Sequence, residues 1–535
     1  MKKIFLFSVL SFLSMSLYAQ KKDTVLKDQT IEVIQSYKPV VKQAPKPLFS
    51  PDLPPADTAL PMFEYNVPQQ VLSYSYTALP IRPLALSKDS TELPFPNYVK
   101  LGGGNLSTAY LDAGIGQFKG ENYATAIHVH HLQQQGSLKY QRTAFTGLEA
   151  TGDLTTQTLR YHAGVEALRH QYALYGGYVD TGAAAPQHVY TGILLSADAV
   201  NELPNAAGIA YHPAVKAGIY GREGMTETMF HVAIPASKKL DEEFTVSASV
   251  ALWLANLSNS HNGSSSANNI FQFAPKIGYE WEGLKAHIGI KPTAGRNGNG
   301  YILPDLYLSY KIPKALFQVF AGWEGTLQQN TFQQLTSYNP YLSSFYIQKQ
   351  TKQDELFGGL SFGLGNSFHF SGKLSYRDYK DFPMFLNNFG TDNSFFVQYD
   401  DVKAVSMEAS LRYDIADIFS LKLSGAYYDY FEHTHTHVFH EPALRFNADF
   451  RFRPFKEFTF TAYSRVLDGI YTINEANLTV KNKAVFDAGL GGEYNLIPRL
   501  SLFLNIHNIF DNKYQRWYNY QAYGFTIFGG LRVKF

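Results

Sequence analysis

Residues 525–535 read Phe-Thr-Ile-Phe-Gly-Gly-Leu-Arg-Val-Lys-Phe, and this stretch decides the fold. Every second residue from Phe525 to Phe535 is apolar or glycine, while the intervening positions are mixed and end in the charged Arg532 and Lys534. Successive side chains of a β-strand point to opposite faces. The segment therefore reads as a strand with one apolar face, and the chain stops on an aromatic residue.

The residues before this strand read as its hairpin partner. Leu502–His507 alternates in the same way and leads into Asn508-Ile-Phe-Asp-Asn-Lys-Tyr514, which is followed by an aromatic run from Trp517 to Tyr523. This pattern resembles the closing hairpin of a bacterial outer-membrane barrel, and specifically the last two strands of a TonB-dependent receptor. The resemblance implies that Phe535 is the assembly signal read by the barrel-assembly machinery.

Composition excludes several classes of protein. The chain has 535 residues, of which 15% are aromatic and 17% charged, whereas an ordinary soluble protein has roughly 25% charged residues. The net charge is +1 without a basic or acidic block, so no nucleic-acid partner is predicted. The chain has no cysteine, which excludes disulfides, thiolate metal sites and a lipoprotein anchor.

The N-terminus predicts export. A basic Met1-Lys2-Lys3 precedes an apolar run from Ile4 to Leu17 that only serine interrupts, and a small residue, Ala19, follows. This arrangement is typical of a secretory signal peptide spanning residues 1–19. We expect cleavage after Ala19. No later stretch has the ~18 consecutive apolar residues that a transmembrane helix needs.

Residues 20–96 form a proline-rich leader. This segment holds twelve of the chain's 25 prolines and no glycine, so it is predicted to be extended or irregular. Only one short stretch has strand character, and it lies where receptors of the resembled family often carry their TonB-interacting box. That candidate TonB box consists of Thr30, Ile31, Glu32, Val33 and Ile34. The alternative is a plain extended leader.

From residue 97 onward the chain alternates between apolar and polar residues with period two. Between Leu444 and Phe452 the apolar positions are separated by Arg445, Asn447, Asp449 and Arg451. Such a polar row cannot form a sandwich core, because unpaired buried charges are too unfavourable. A water-filled lumen on the polar side and lipid on the apolar side explain the pattern.

Short and long connections alternate between these segments. Tight connections are predicted at residues 312–316, 363–367, 415–418, 453–457 and 496–500, and long ones at 257–269, 328–354, 380–394 and 511–524. Short turns at one rim and long loops at the other are typical of outer-membrane barrels. We count about 22 alternating segments from Tyr98 to Phe535. The predicted fold is an all-β, antiparallel transmembrane barrel over residues 97–535.

The resemblance covers this barrel only. Residues 97–110 are also similar to the first hairpin of receptor-type barrels, and 22 is the strand number of that family. Family members carry an N-terminal plug domain of well over a hundred residues with glycine-rich motifs, whereas the leader is shorter and lacks glycine. This departure leaves the transport mechanism open.

Catalytic and cofactor motifs are sparse. The glycine clusters near Gly103 and Gly491 are followed by neither Lys-Ser/Thr nor a helical pattern, so we predict no nucleotide site. No G-x-S-x-G or H-E-x-x-H motif is present, and we expect neither enzymatic activity nor a cofactor.

One histidine-rich stretch is a candidate metal site. His433, His435 and His437, called here the histidine triplet, alternate so that they share one face of an extended segment. Neutral imidazoles bind Zn, Cu or Ni, but tetrahedral ligands must converge on one ion. The alternatives are a surface metal site and a hydrated loop.

These observations predict an outer-membrane protein related to TonB-dependent receptors that acts in nutrient uptake. The alternative is a plug-less structural or interaction subunit of an outer-membrane assembly. The partners implied are outer-membrane lipids, the barrel-assembly machinery, and TonB or an outer-membrane lipoprotein.

A barrel of this size has a lumen too wide for its wall side chains to close. We predict that part of the leader enters the lumen, where Tyr65, Tyr74, Tyr76 and Arg82 would meet the polar row that includes Arg445, Asp449 and Arg451. The alternative is that the leader stays in the periplasm and inward-folded loops or a partner close the pore.

Overall fold

A computed structural model describes residues 97–176, 186–201, 203–312, 316–344, 348–365, 367–389 and 394–535, with the side chains of residues 117–119 excepted. The signal peptide, the leader and the candidate TonB box lie outside these residues. No helix of the described chain is long and apolar enough to cross a membrane.

Twenty-two antiparallel strands form one closed sheet, which confirms the predicted fold and strand number. These strands are β1 (Tyr98–Gly104), β2 (Thr108–Lys119), β3 (Tyr123–Gln135), β4 (Arg142–Thr155), β5 (Leu159–Ala173), β6 (Gln187–Asn201), β8 (Ala214–Arg222), β9 (Met225–Lys239), β10 (Phe244–Asn259), β12 (Ile270–Trp281), β13 (Leu284–Ala294), β14 (Gly300–Lys311), β15 (Phe317–Gln328), β16 (Thr351–Leu364), β17 (Phe368–Asn387), β18 (Phe395–Ile415), β19 (Phe419–Phe431), β20 (Leu444–Phe455), β21 (Phe458–Asp468), β24 (Val485–Ile497), β25 (Leu500–His507) and β28 (Thr526–Lys534).

Shorter elements decorate the barrel. They are the strands β7 (Ile209–Tyr211), β11 (Ser264–Ala267), β22 (Tyr471–Ile473), β23 (Thr479–Lys481), β26 (Gln515–Trp517) and β27 (Tyr520–Gln521), a 3-10 turn at Arg296–Gly298, and the helix α1 (Phe332–Tyr338). Helix α1 is the longest helical element of the described residues, and it lies in the loop between β15 and β16.

The first and last strands close the barrel. Tyr98 pairs with Lys534 and Gly104 with Phe528, so β1 and β28 are in register over seven residue pairs. The backbone N–H of Phe535 also donates to the Asn97 carbonyl, at 3.2 Å. Because β1 pairs with β28, the sheet has no open edge between them. Lipid could not satisfy the backbone N–H and C=O groups of such an edge.

Alternation along the strands sorts side chains between the two faces as predicted. On β18, Val405 and Met407 are 47% and 60% exposed, whereas Ser406 between them is buried on the inner side. On β20, Leu444 and Phe446 face outward, and Arg445 faces the lumen, where it pairs with Glu441. The apolar parity is therefore the outer surface.

The two rims of the barrel differ. The rim that carries Tyr98 and Lys534, called here the turn rim, has the tight connections at residues 282–283, 365–367, 416–418, 456–457 and 498–499. The opposite rim, the loop rim, carries the longer connections, although residues 105–107 and 223–224 are tight there too. One predicted loop is shorter than expected, because β17 continues to Asn387 past a bulge after Tyr379. The long β17–β18 hairpin thus projects at the loop rim.

Candidate functional site

Three loops meet over the loop rim. They are the β5–β6 loop (residues 174–186), the β15–β16 loop (residues 329–350) and the β25–β28 loop (residues 508–525), and their strands are about a third of the circumference apart. Tyr341 and Tyr520 stack with ring centroids 3.6 Å apart. Tyr175 contacts Tyr520 edge-on at 5.3 Å. Residues from three sides of the barrel are therefore in direct contact.

These tyrosines belong to a buried aromatic cluster, which we call the cap. The cap also includes residues near the tip of the β17–β18 hairpin. Its buried members are Leu174, Leu335, Tyr341, Leu342, Phe385, Phe395, Val397, Trp517 and Tyr520. Phe395 and Leu342 are fully buried. Burial of apolar surface stabilises such a cluster by about 25 cal/mol per Å². The cap is thus a small hydrophobic core made by loops.

Helix α1 anchors the β15–β16 loop to β9, five strands away from β15 along the barrel wall. The Thr331 side chain accepts from the backbone N–H of Gln334, and the Gln334 side chain in turn accepts from the Thr331 N–H, which completes a capping box. The carboxylate of Glu227 on β9 accepts from the N–H groups of Phe332 (2.8 Å) and Gln333 (3.0 Å). A carboxylate at a helix N-terminus satisfies unpaired N–H groups. Glu227 therefore holds the loop inward.

The β19–β20 loop (residues 432–443) adds a buried histidine to the cap. His440 donates from Nδ1 to the Phe385 carbonyl at 2.7 Å and packs on Trp517. Burial lowers the pKa of His440 to about 3, so the ring is neutral. The Arg516 guanidinium donates to the His440 carbonyl at 2.6 Å and lies over the Trp517 ring at 4.4 Å.

A cavity of about 390 Å³ lies between the cap and the barrel wall. Its lining combines tyrosines and Trp517 with a few polar groups, and these include Arg516, His507 and Asp487. Pockets of this kind, largely aromatic with a few polar groups, are typical of ligand sites. The cavity can hold an aromatic or amphipathic group.

The lumen beneath is polar, and much of its charge is internally paired. Arg377 lies 2.9 Å from Glu355, and Lys373 lies 2.9 Å from the same carboxylate. Elsewhere Arg532 lies 3.0 Å from Glu493. Ion pairs on the inner wall agree with a hydrated interior.

The polar row proposed to meet the leader is largely paired within the barrel. Arg445 lies 2.7 Å from Glu441, and Asp449 lies 2.6 Å from Arg465. Entry of the leader into the lumen stays a prediction, since Tyr65, Tyr74, Tyr76 and Arg82 lie outside the described residues.

The structure does not bring the histidine triplet together. His435 lies 3.0 Å from the Asp400 carboxylate, and His437 stacks on Tyr471 at 3.8 Å. The His433 ring bonds the backbone carbonyl of His435. In the described part of the chain, no three His, Cys, Asp or Glu residues are arranged to hold a metal ion. A metal site here stays a prediction that requires the loop to rearrange.

The sequence alone does not identify the cap residues as a site. Trp517 and Tyr520 belong to an aromatic run, and Tyr341 lies in a predicted long loop. A cluster of aromatic residues in a long loop was the available signal. Glu227 has no recognisable signal in the sequence, because its role depends on a helix that starts 105 positions later in the chain.

The fold defines a class of structure, a closed antiparallel barrel of 22 strands. No family model and no curated protein matches the chain. Solved structures do. The FrpB iron transporter from Neisseria meningitidis has a TM-score of 0.62 at 9% identity, over 82% of this chain and 81% of the transporter.

Two receptors from Pseudomonas aeruginosa have a comparable structural similarity to this chain. The pyoverdine outer membrane receptor FpvA, bound to pyoverdine, has a TM-score of 0.60 at 12% identity, over 82% of this chain and 78% of the receptor. A mutant of the ferric enterobactin receptor PfeA has a TM-score of 0.59 at 13% identity, over 82% of this chain and 80% of the receptor. At these identities the likeness establishes the fold.

Proposed function

We propose that the protein is an outer-membrane receptor that takes up a bulky nutrient. The observation that carries this proposal is the cap, in which loops from three sides of a 22-strand barrel meet through Tyr175, Tyr341 and Tyr520. Wide barrels that transport specific ligands must stay closed between transport events. A cap of loops above a polar lumen supplies both a closure and a surface for recognition.

The outer surface supports the membrane location. Apolar side chains of the outward parity, such as Ile288 at 71% and Met407 at 60% exposure, would face lipid. Export by the signal peptide and insertion by the barrel-assembly machinery through Phe535 complete the proposed route. Thr30–Ile34 would be the contact with TonB, and an outer-membrane lipoprotein is the other candidate partner.

The ligand class that we propose is a bulky nutrient. The similar proteins are an iron transporter, a pyoverdine receptor and a ferric enterobactin receptor. The cavity beside Arg516 and Trp517 offers this chain an aromatic and polar surface for a nutrient of comparable bulk.

Uptake can be tested without knowing the ligand. A strain that lacks the protein and its complemented counterpart are grown in a complex medium, and depletion of compounds is followed by mass spectrometry. We expect at least one bulky compound to be depleted only when the protein is present. A gentle-detergent pull-down of the native protein is run in parallel. No difference in depletion, together with a stable set of assembly proteins, would overturn the proposal.

A further inference from the structure

A second cavity, of about 500 Å³, lies beneath helix α1, and its wall strands are about a third of the circumference from the β25–β28 loop. Its wall is formed by two neighbouring rows of register partners. The upper row runs through Glu149, Glu166, Leu194, Gly218 and Met229, and the lower row runs through Thr151, Gly164, Ser196, Lys216, His231 and Trp253. Gln333 and Gln334 of α1 lie above them. Gly164 and Gly218 project no side chain into the space.

Two carboxylates lie at one end of this cavity. Glu149 and Glu166 are direct register partners on β4 and β5 and face the lumen. Among the described residues, no Lys, Arg or His lies within 4 Å of either carboxylate, although Glu355 and Glu493 elsewhere on the wall are paired. Like charges directly opposite on neighbouring strands repel each other. As far as the structure describes the chain, Glu149 and Glu166 thus lack the close counter-charge that Glu355 and Glu493 have.

The other end of the cavity is aromatic. His231 and Trp253 stack with ring centroids 4.9 Å apart and planes 11° from parallel. The Nε2 atom of His231 is buried and has no hydrogen-bond partner within the described part of the chain. Lys216, the register partner of His231, lines the same end. Glu166 and Trp253 are four strand intervals apart, which is roughly 19 Å along the wall.

We propose that this cavity binds an extended cationic ligand, with the dimensions of a short peptide, as the substrate of the proposed uptake. A guanidinium bridges Glu149 and Glu166, since its planar fork matches two carboxylates. An aromatic or apolar group packs on Trp253 at the far end, and a carboxylate meets Lys216. An extended pentapeptide spans roughly 17 Å and fills this length. This assignment of ligand class rests on the uptake function proposed above.

The test uses the detergent-purified full chain and a defined probe. The probe is N-acetyl-Arg-Gly-Ser-Gly-Phe with a free C-terminus, and its control carries citrulline, which has the same shape without the charge, in place of arginine. Calorimetry is expected to show at least tenfold tighter binding of the arginine peptide. The double variant Glu149→Gln/Glu166→Gln should remove this preference, and Glu242→Gln, in a turn outside the cavity, should keep it.

Each outcome bears on the proposal. Equal binding of the two peptides by the wild type overturns it, and this comparison does not depend on any variant folding. An equal loss in Glu242→Gln would show unspecific attraction of charge and would also overturn it. If the peptide preference is absent while nutrient depletion still depends on the protein, the ligand class is wrong and the uptake function stands. Binding without any depletion would refute uptake instead.

Discussion

Removing the ring of Tyr341 should open the cap. Tyr341 is 8% exposed and stacks on Tyr520 at 3.6 Å, which links two loops whose strands lie on different sides of the barrel. Truncating a buried aromatic side chain to alanine destabilises by about 3 kcal/mol or more. Because each 1.4 kcal/mol changes an equilibrium tenfold, the ratio of open to closed cap should rise by about 100-fold.

Planar-bilayer conductance measures this change directly. We expect frequent opening events for Tyr341→Ala and few for the wild type. Tyr341→Phe is the matched control, because it keeps the stacked ring and should stay closed. A variant lacking residues 40–90 separates the cap from the predicted leader plug, since a steady increase on this deletion supports the leader. Unchanged low conductance in the double variant Tyr341→Ala/Tyr520→Ala would refute closure by the cap.

Three further predictions concern pH, assembly and metal. His440 is neutral in the closed cap and regains an ordinary pKa of about 6.5 once the cap opens, so protons favour the open cap. The free energy that favours closure is therefore greatest above pH 6.5 and falls by about 2 kcal/mol at pH 5. Opening events should increase on acidification of the wild type, and the same increase in His440→Phe would contradict the assignment to His440. Phe535→Asp should leave export intact yet abolish heat-modifiable barrel in the outer membrane, whereas deleting residues 21–60 should not; normal localisation of Phe535→Asp would disprove its role as a signal. For zinc, we expect equal calorimetric heats for the wild type and a variant with the histidine triplet changed to alanine, because Asp400 and Tyr471 hold two of the rings apart; a heat lost in the variant would establish the metal site.

Local alternation was sufficient to predict the barrel. Segments such as Leu444–Phe452 report which face meets water, because a strand points successive side chains to opposite sides. The number of such segments gave the 22 strands, and the tight turns located one rim. Each of these features depends on residues that are close in the sequence.

The cap depends on contacts that alternation does not encode. Tyr341 and Tyr520 are neighbours only because the closed sheet places their loops over the same space. Predicting the anchoring of α1 by Glu227 requires knowing which distant strand the β15–β16 loop reaches, and that strand is β9. For the histidine triplet, shared parity places the three residues on one face but does not by itself make their side chains converge in a bent loop.

The seam between β1 and β28 has a consequence for how the wall resists force. Gly102 pairs with Gly530 and Gly103 with Gly529, so two consecutive register pairs have no side chains. The Phe503 ring of β25 lies against Gly102 on the lumen side, and the Leu504 side chain of β25 lies beside Gly529 on the outside. At these two pairs β1 and β28 are joined directly only by their backbones, without the cross-strand side-chain contacts found elsewhere. Under lateral tension in the bilayer, the wall should therefore separate at these two pairs first.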